Sequence, residues 1–553
     1  MPYAEGKIVE GAICESSSDP AQSETRSMRG RSSHGTWEIQ AMPVGEGPAG
    51  RSGKGKNQKP DMYVAGKSDD CVVPEKLTNE AGRAAEESVE GRRSIKGNVT
   101  ERAAPRTQGR TRASNGLCGV RQVARGDKSV RFTALLHHVT VDRLWGSFFA
   151  LKRKAAPGVD GVTWRDYREG LEERLVDLHE RVHRGSYRAR PSRRTYIQKS
   201  DGRKRPLGIA ALEDKIVQHA VGEVLSAIYE EDFMDFSYGF RPGRGQHNAL
   251  DALWVNLVHK RVSWVLDADI RGFFDALDHG WLLRFLEHRI GDRRILRLLR
   301  KWLRAGVMED GRRSRTERGT PQGAVISPLL GNVYLHYVLD LWVDAWQRKG
   351  AARGEMIIVR YADDFVVGFQ HRGDAERFLG ALKGRLGKFG LELHPDKTRL
   401  IRFGRFAAQN RAERGEGKPE TFDFLGFSHR CGTTRGGRFT VWRISMAKRL
   451  RDKLNEIREW LRKNRHFKIS EQGAWLRWVV GGWMNYHAVP GNFDCVEQFR
   501  SQVRRHWIKA LRARSQRHRM PWERFAPIAD RFLPRPKVLH PWPSDRFYAK
   551  HPR

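Results

Sequence analysis

Large apolar residues are sparse up to about residue 115 and recur with regular spacing only beyond it. Stretches such as "GEGPAGRSGKGKNQKP" cannot bury enough surface to offset the entropy lost on ordering, so residues 1–115 are expected to form a poorly ordered extension. From "VRFTALLHHVTVDRLWGSFFALKRK" onward the pattern is that of a folded domain. "DLHERVHRGSYRARP" reads as a basic helix end running into an extended segment. "RRTYIQKSDGRKRPLGIAAL" holds two short apolar runs around "KSDGRK", whose Asp-Gly predicts a hairpin turn. Ile216, Ala220, Val224 and Ile228 recur at helical spacing. "VSWVLDADI" predicts a strand, "LDHGWLLRFLEHRI" a helix, and "MIIVRYADDFVVGF" a strand, a polar tip and a second strand. Phe378, Leu382, Leu386 and Phe389 share one helical face, and "LELHPDKTRLIRF" reads as two strands around a turn. From Ser445, an expected N-cap, a stripe of Met446, Leu450, Leu454, Ile457 and Leu461 predicts another helix. Helices mixed with short hairpins imply an α+β fold.

Charge narrows the class of partner. The formal net charge is +37, which points to a polyanion, most simply nucleic acid. The first 120 residues are nearly balanced, with 18 Lys/Arg and 16 Asp/Glu, so the excess belongs to the folded part. Residues 443–553 alone hold 26 Lys/Arg against 9 Asp/Glu, interleaved with 7 Trp, a pattern that favours a nucleic-acid surface over a merely solvated face. No run approaches 18 apolar residues, so no membrane partner is expected, and the N-terminus lacks the basic-then-apolar pattern of a secretory signal. The 5 cysteines form no CxxC pair, which argues against a disulfide framework and a Cys-rich zinc site and for a reducing, cytoplasmic setting of bacterial type.

Two acidic elements carry the candidate chemistry. The hairpin "RYADDFVVGF" would project Asp363 and Asp364 from its tip; taken alone, an Asx-rich turn is the commoner explanation of such a pair. "VLDADIRGFFDALDH" places Asp267 and Asp269 at the end of a second strand-like run, where residues two apart share a face. Adjacent carboxylates repel, and magnesium prefers hard oxygen ligands: a few carboxylates plus substrate phosphates. Two such ions about 4 Å apart can activate a 3′-hydroxyl and stabilise a leaving pyrophosphate.

The order "LDADIRGFFD", "GTPQGAVISPLLGNVYLHYVLD", "RYADDFVVGF", "LELHPDKTRLIRF" and "FDFLGF" resembles the successive blocks of reverse transcriptases. "RKAAPGVDGVTW", "RKRPLGIAALEDKIVQHAV" and "FSYGFRPGRGQHNALDAL" resemble the upstream blocks of group II intron-encoded proteins, and "GGWMNYHAVPGNF" with the Arg-rich stretch after it resembles their maturase domain. The resemblance covers roughly residues 120 to 553, and this many blocks in order is far more specific than one tetrapeptide. It implies a right-hand polymerase: fingers over 116–260, palm over 261–430, and an α-helical thumb and maturase region over 431–553. It further implies an RNA-directed DNA polymerase that uses two Mg²⁺ ions, dNTPs, an RNA template and a DNA primer or target. The family also binds its parent group II intron RNA, assists its splicing and supports intron mobility. A homodimer is compatible with it.

Residue by residue, the metal ligands match Asp269, Asp363 and Asp364, with the backbone carbonyl of Ile270 also facing a metal. Asp267 is the nearest rival and is assigned a structural role. Phe274 matches an aromatic below the sugar 2′ position, implying selection of deoxynucleotides, while Phe273 fits the core better. Lys199 and Arg205 match cations that hold incoming phosphates. Gln322 matches a glutamine beside nucleotide and template, with a turn role as its alternative. Lys397 matches a proton donor to pyrophosphate, with a salt bridge to Asp396 or another neighbour as its alternative. Tyr361 and Ala362 are expected near the primer end, "FRPGRG" to be structural, and Gly481, Trp483 and Tyr486 to be core.

The chain departs from the family pattern in places. "YIQK" and "IAALEDK" stand where "YIPK" and "IPTLEDK" are common, which relaxes φ in the fingers without touching chemistry. The chain has no room after the maturase block for an HNH endonuclease, so the expected form lacks second-strand cleavage of its own. Two rivals are a maturase on an idle polymerase scaffold and another kind of reverse transcriptase, such as that of a retron. Intact Asp269, Asp363, Asp364, Gln322 and Lys397 argue against the first, and the maturase block argues against the second.

Overall fold

The computed structural model describes residues 116–198, 204–314, 317–320, 323–515 and 520–551. The expected N-terminal extension, Lys199 and Gln322 lie outside the described residues.

Helices α1 (Cys118–Gly126), α2 (Val141–Ala150), α3 (Trp164–Arg168) and α4 (Leu171–Arg184) lead the described chain. Leu171, Leu175, Leu178 and Val182 of α4 fall on one face and are buried. The hairpin β1 (Ser192–Gln198) and β2 (Lys204–Ile209) follows, antiparallel, with Ile197 opposite Arg205. Helix α5 (Leu212–Asp232) is buried around most of its circumference, as befits a helix in the middle of a large core. After α6 (Gln246–His259) come β3 (Trp264–Ala268), α7 (Phe273–Ala276), α8 (His279–Glu287) and α9 (Arg293–Arg304). Asp278 and Asp292 cap α8 and α9, accepting from the amides of Trp281 and Arg294. Strands β4 (Val307–Glu309) and β5 (Arg312–Ser314) extend the β1–β2 sheet, in the order β2-β1-β4-β5.

Helix α10 (Ser327–Leu335) runs through one π-turn, His336–Asp340, into α11 (Leu341–Arg348). The hairpin β6 (Met356–Tyr361) and β7 (Asp364–Phe369), helix α12 (Arg372–Gly387) and β8 (Arg399–Arg402) complete a sheet of order β6-β7-β3-β8, antiparallel throughout. Strand alternation sorts its side chains into two cores. Leu266, Ala268, Ile358, Phe365 and Val367 join the cluster that holds α5, α10 and α12, while Val265, Ile357, Val359, Val366 and Ile401 join a second with α6. Covered on both faces, β6 and β7 read as continuous apolar runs.

After α13 (Ala407–Ala412), strands β9 (Phe422–Phe424), β10 (Phe427–Thr433) and β11 (Phe439–Ser445) form a third sheet that closes over α6, where Trp254 donates to the Val441 carbonyl at 2.9 Å. Helices α14 (Ala447–Lys463), α15 (Ile469–His487), α16 (Phe493–Arg512) and α17 (Trp522–Phe532) share a core of Ile457, Leu461, Leu476, Val480, Val503 and Trp507. The buried Trp507 indole donates to Gln472 at 2.9 Å. The last helix, α18 (Pro543–Lys550), returns to α6.

Two sequence expectations are corrected. Ser445 ends β11 instead of capping α14: its amide and hydroxyl are held by Asn492 and His487, and Met446 takes the cap position. Of the two strands expected in "LELHPDKTRLIRF" only the second forms as β8; the first makes a single bridge, Leu393 to Ile270.

Candidate active site

The polar tip of the β6–β7 hairpin is a two-residue turn, Ala362–Asp363, closed by the Tyr361–Asp364 pair. Ala362 has φ +56°, a left-handed conformation that costs a residue with a Cβ about 1–2 kcal/mol. The neighbouring strand β3 ends beside it: Asp267 pairs with Val366 and Ala268 with Phe365, so the next position along the ladder sets Asp269 beside Asp364. Asp267, Asp269 and Asp364 therefore lie toward one end of one sheet face, with Asp363 on the turn.

Ile270 pairs with Leu393, but its neighbours make both hydrogen bonds of that bridge. The Arg271 amide donates to the Glu392 carbonyl at 2.8 Å, and the His394 amide to the Asp269 carbonyl at 2.7 Å. In an antiparallel pair of this kind the central residue's own N–H and C=O point the other way, here toward the side where β7 carries Asp364. The Ile270 side chain is buried in the main core.

These carboxylates feel one another. Asp364 reaches solvent, yet protein crowds its hydration; that loss, together with the charges of Asp363, Asp269 and Asp267, pushes it up to about 7. Burial raises Asp363 as well, with Asp269 adding to the shift and Arg205 and Lys397 opposing it. Burial raises Asp267 to about 6 against the pull of Arg399, its partner at 3.5 Å. Lys397 sits on Asp269 at 2.5 Å. Its alternative expectation, a salt bridge to a neighbour, is thus met by Asp269 and not by Asp396. Among the described residues no group of three or more His, Cys, Asp or Glu side chains closes around a point as a preformed metal cage. The donor chemistry nevertheless fits magnesium: clustered hard-oxygen carboxylates whose mutual repulsion a divalent cation would relieve.

The other expected residues gather from separate elements. Arg205 on β2 is exposed, and its charge acts on Asp363. Phe274 is half-buried against the core, and its carbonyl accepts from the Thr320 amide at 2.8 Å, which ties the "GTPQG" segment to α7. Gly323, on the far side of that segment, lies so near β2 that a Cβ would stand 2.9 Å from the Gly208 carbonyl oxygen. Thr320 is thus bound to α7 and Gly323 packs against the β1–β2 hairpin. Trp483 is core as expected; Gly481 is half-exposed, and Tyr486 donates to the Leu425 carbonyl.

Sequence reasoning did not single out the residues that hold the turn. Arg360 is buried, bidentate to Asp340, and donates to Asn332 at 3.1 Å and to the Ala362 carbonyl at 3.0 Å. Asn332 in turn donates to the Gly239 carbonyl at 2.7 Å, and a Cβ on Gly239 would fall 2.2 Å from the Ala362 nitrogen. The expectation that "FRPGRG" is structural gains a reason: Arg241 in it donates to the carbonyls of Met234 and Ser237, and the segment before it pairs with β6 through Arg360.

A strand-borne carboxylate cluster beside a cationic hairpin defines the class, and comparison with known proteins agrees. The family model for reverse transcriptase (RNA-dependent DNA polymerase) matches residues 197–429. Protein YkfC of Escherichia coli strain K12 is 35% identical over 311 residues, which cover 50% of this chain and 81% of YkfC. The group II intron-encoded protein LtrA of Lactococcus lactis subsp. cremoris is 41% identical over 175 residues, 31% of this chain and 29% of LtrA. An uncharacterized 91 kDa protein in the cob intron of Schizosaccharomyces pombe is 43% identical over 154 residues, 28% of this chain and 19% of that protein. The chain belongs to the reverse transcriptases of the group II intron-encoded, maturase-bearing kind. It spans less than a third of the length of two of these three relatives.

Proposed function

We propose that the protein copies RNA into DNA and also binds its parent group II intron RNA, assisting splicing and supporting mobility. The observation that carries the first role is the coupled set Asp269, Asp363 and Asp364 at one end of a rigid sheet, with Arg205 reaching it from a second sheet. In this reading residues 116–260 act as fingers, 261–430 as palm and 431–553 as thumb and maturase. Asp269, Asp363, Asp364 and the Ile270 carbonyl would hold two Mg²⁺ ions, which when bound activate the primer hydroxyl and neutralise the pyrophosphate.

The remaining steps belong to side chains. Arg205, joined by Lys199, grips the incoming triphosphate, since guanidinium and phosphate match bidentately. Phe274 presents a ring where a 2′-hydroxyl would collide. Gln322 lies beside the nucleotide. Lys397 leaves Asp269 and gives a proton to the departing pyrophosphate. Asp267, held by Arg399, keeps negative charge beside Asp364. The maturase role rests on the excess of positive charge in residues 443–553, which offsets phosphate repulsion in a folding RNA. No helix among the described residues is long and apolar enough to cross a membrane.

The test compares the wild type with Asp363→Ala. Incorporation of dNTPs on a primed RNA template is measured with Mg²⁺ and after chelation, alongside splicing of the flanking intron at low Mg²⁺. The wild type is expected to extend the primer, the variant to lose at least about a thousandfold in rate, and both to assist splicing. If neither protein extends the primer while both promote splicing, the polymerase reading falls and a maturase on an idle scaffold remains.

A further inference from the structure

We propose that Arg360, Asp340 and Asn332 are positioning residues for the active-site carboxylates: they lock the β6–β7 turn so that Asp363 and Asp364 stand beside Asp269 in one geometry. This rests on the polymerase reading above, but its observations are independent of it.

Arg360 and Asp340 are both 0% exposed. The guanidinium makes four contacts: two to the Asp340 carboxylate, one to Asn332 and one to the carbonyl of Ala362, the first residue of the turn. Asn332 holds the opposite side by donating to Gly239, whose backbone lies directly against the Ala362 nitrogen. The turn is thus gripped through β6 itself, through α10, through the π-turn that ends at Asp340, and through the 236–240 segment. That segment also pairs with Arg360 by main-chain bonds of 2.8 Å in both directions.

The turn needs this grip for two reasons. Ala362 is left-handed without being glycine, so the turn does not hold its shape by local preference. The carboxylates it presents repel Asp269 and Asp267, so a slack turn would relax by moving them apart. Stability alone is a poor explanation for the network, because well-packed apolar residues often replace a buried ion pair without loss. What apolar residues cannot supply is a directed bond to one carbonyl of one turn from a guanidinium that three further bonds hold in place. One turn of π-helix inside an otherwise regular helix is a common mark of a functional constraint, and Asp340 is its last residue.

The experiment uses the full chain. Arg360→Met combined with Asp340→Leu removes both charges at similar volume and strands no buried ion. Arg360→Lys keeps the charge but cannot serve Asp340 and Ala362 together. Thermal unfolding, Mn²⁺ binding by calorimetry without nucleic acid, and the Mg²⁺ dependence of dNTP incorporation are measured on each. The double variant is expected to melt near the wild type, to bind Mn²⁺ about 10- to 100-fold more weakly, and to need correspondingly more Mg²⁺ for half-maximal rate. Arg360→Lys should fall between. A folded double variant with wild-type Mn²⁺ affinity and wild-type Mg²⁺ dependence overturns the proposal. Should the double variant not fold, Asn332→Leu, which leaves the ion pair intact, decides instead: weaker Mn²⁺ binding supports the proposal and unchanged binding overturns it. If the wild type incorporates no dNTP, the polymerase reading is what fails, and the Mn²⁺ titration still decides whether these residues position the carboxylates.

Discussion

At the scale of single residues, the site divides into groups that carry charge and groups that carry shape. The carboxylates are spread over β3, the turn and β7; burial raises Asp363 and Asp364, and the negative charge of neighbouring carboxylates adds to both shifts. Phe274 carries shape. Its backbone is tied to Thr320, and its ring lies so near the Gly331 backbone that a Cβ there would stand 3.1 Å from it. A ring that cannot yield is what discrimination against an extra hydroxyl requires. Phe274→Ala should therefore raise the preference for ribonucleotides roughly tenfold or more, read as the ratio of kcat/KM for rNTP to that for dNTP. An unchanged ratio would mean that the ring is core alone. Because Phe273 is 2% exposed and wholly in the core, Phe273→Ala serves as the contrast: it should lower stability and leave the ratio alone.

At the scale of elements, Asp292 shows how one carboxylate can fix a junction. It caps α9 and also accepts from the amides of Leu135 and Leu136, far away in sequence. Burial works against its charge, but Arg294 and these amides outweigh burial and hold it down to about 2, against 3.8 unperturbed. A depressed carboxylate stabilises the fold at pH values above its unfolded pKa and loses that contribution as pH falls through the folded one. The contribution should be about 2 kcal/mol at neutral pH and roughly halved near pH 3. Thermal unfolding of Asp292→Asn against the wild type from pH 7 to pH 3 measures it; a gap that does not narrow as pH falls would refute this account. Asp292 also illustrates what the sequence allows to be read. The acidic hairpin, the strand ending in Asp269, the helical stripes and the α+β class were legible because they are local periodicities or ordered blocks. Arg360 was not: before "YADD" it reads as one more solvated base in a basic chain, and only a partner twenty residues upstream makes it a buried one. Ser445 misled for a related reason. Its hydroxyl is claimed by His487 and Asn492, so tertiary contacts override the local capping preference.

At the scale of the whole molecule, the question is how a helical C-terminal region stays in register with the sheet that carries the carboxylates. The described chain answers with one buried acid. Asp251 of α6 is 1% exposed and takes Arg443 of β11 at 2.7 Å and Arg546 of α18 at 2.6 Å. Lys550 of the same last helix donates at 3.0 Å to the Gly243 carbonyl and to Asn248. Gly243 belongs to the loop that follows Gly239, and Gly239 abuts the carboxylate turn. A continuous run of contacts therefore links α18 to the turn without passing through nucleic acid. Arg546→Met leaves Asp251 with one cation in place of two, so the loss should be smaller than for a fully stranded charge, about 1–3 kcal/mol by denaturant unfolding. If α18 only decorates the surface, that loss will be near zero and dNTP incorporation will be untouched. If it braces the loop, stability falls by the stated amount and the Mg²⁺ needed for half-maximal incorporation rises with it. The double substitution Arg546→Met with Lys550→Met should then cost more than Arg546→Met alone, because the two side chains tie α18 to α6 at two points, Asp251 and Asn248.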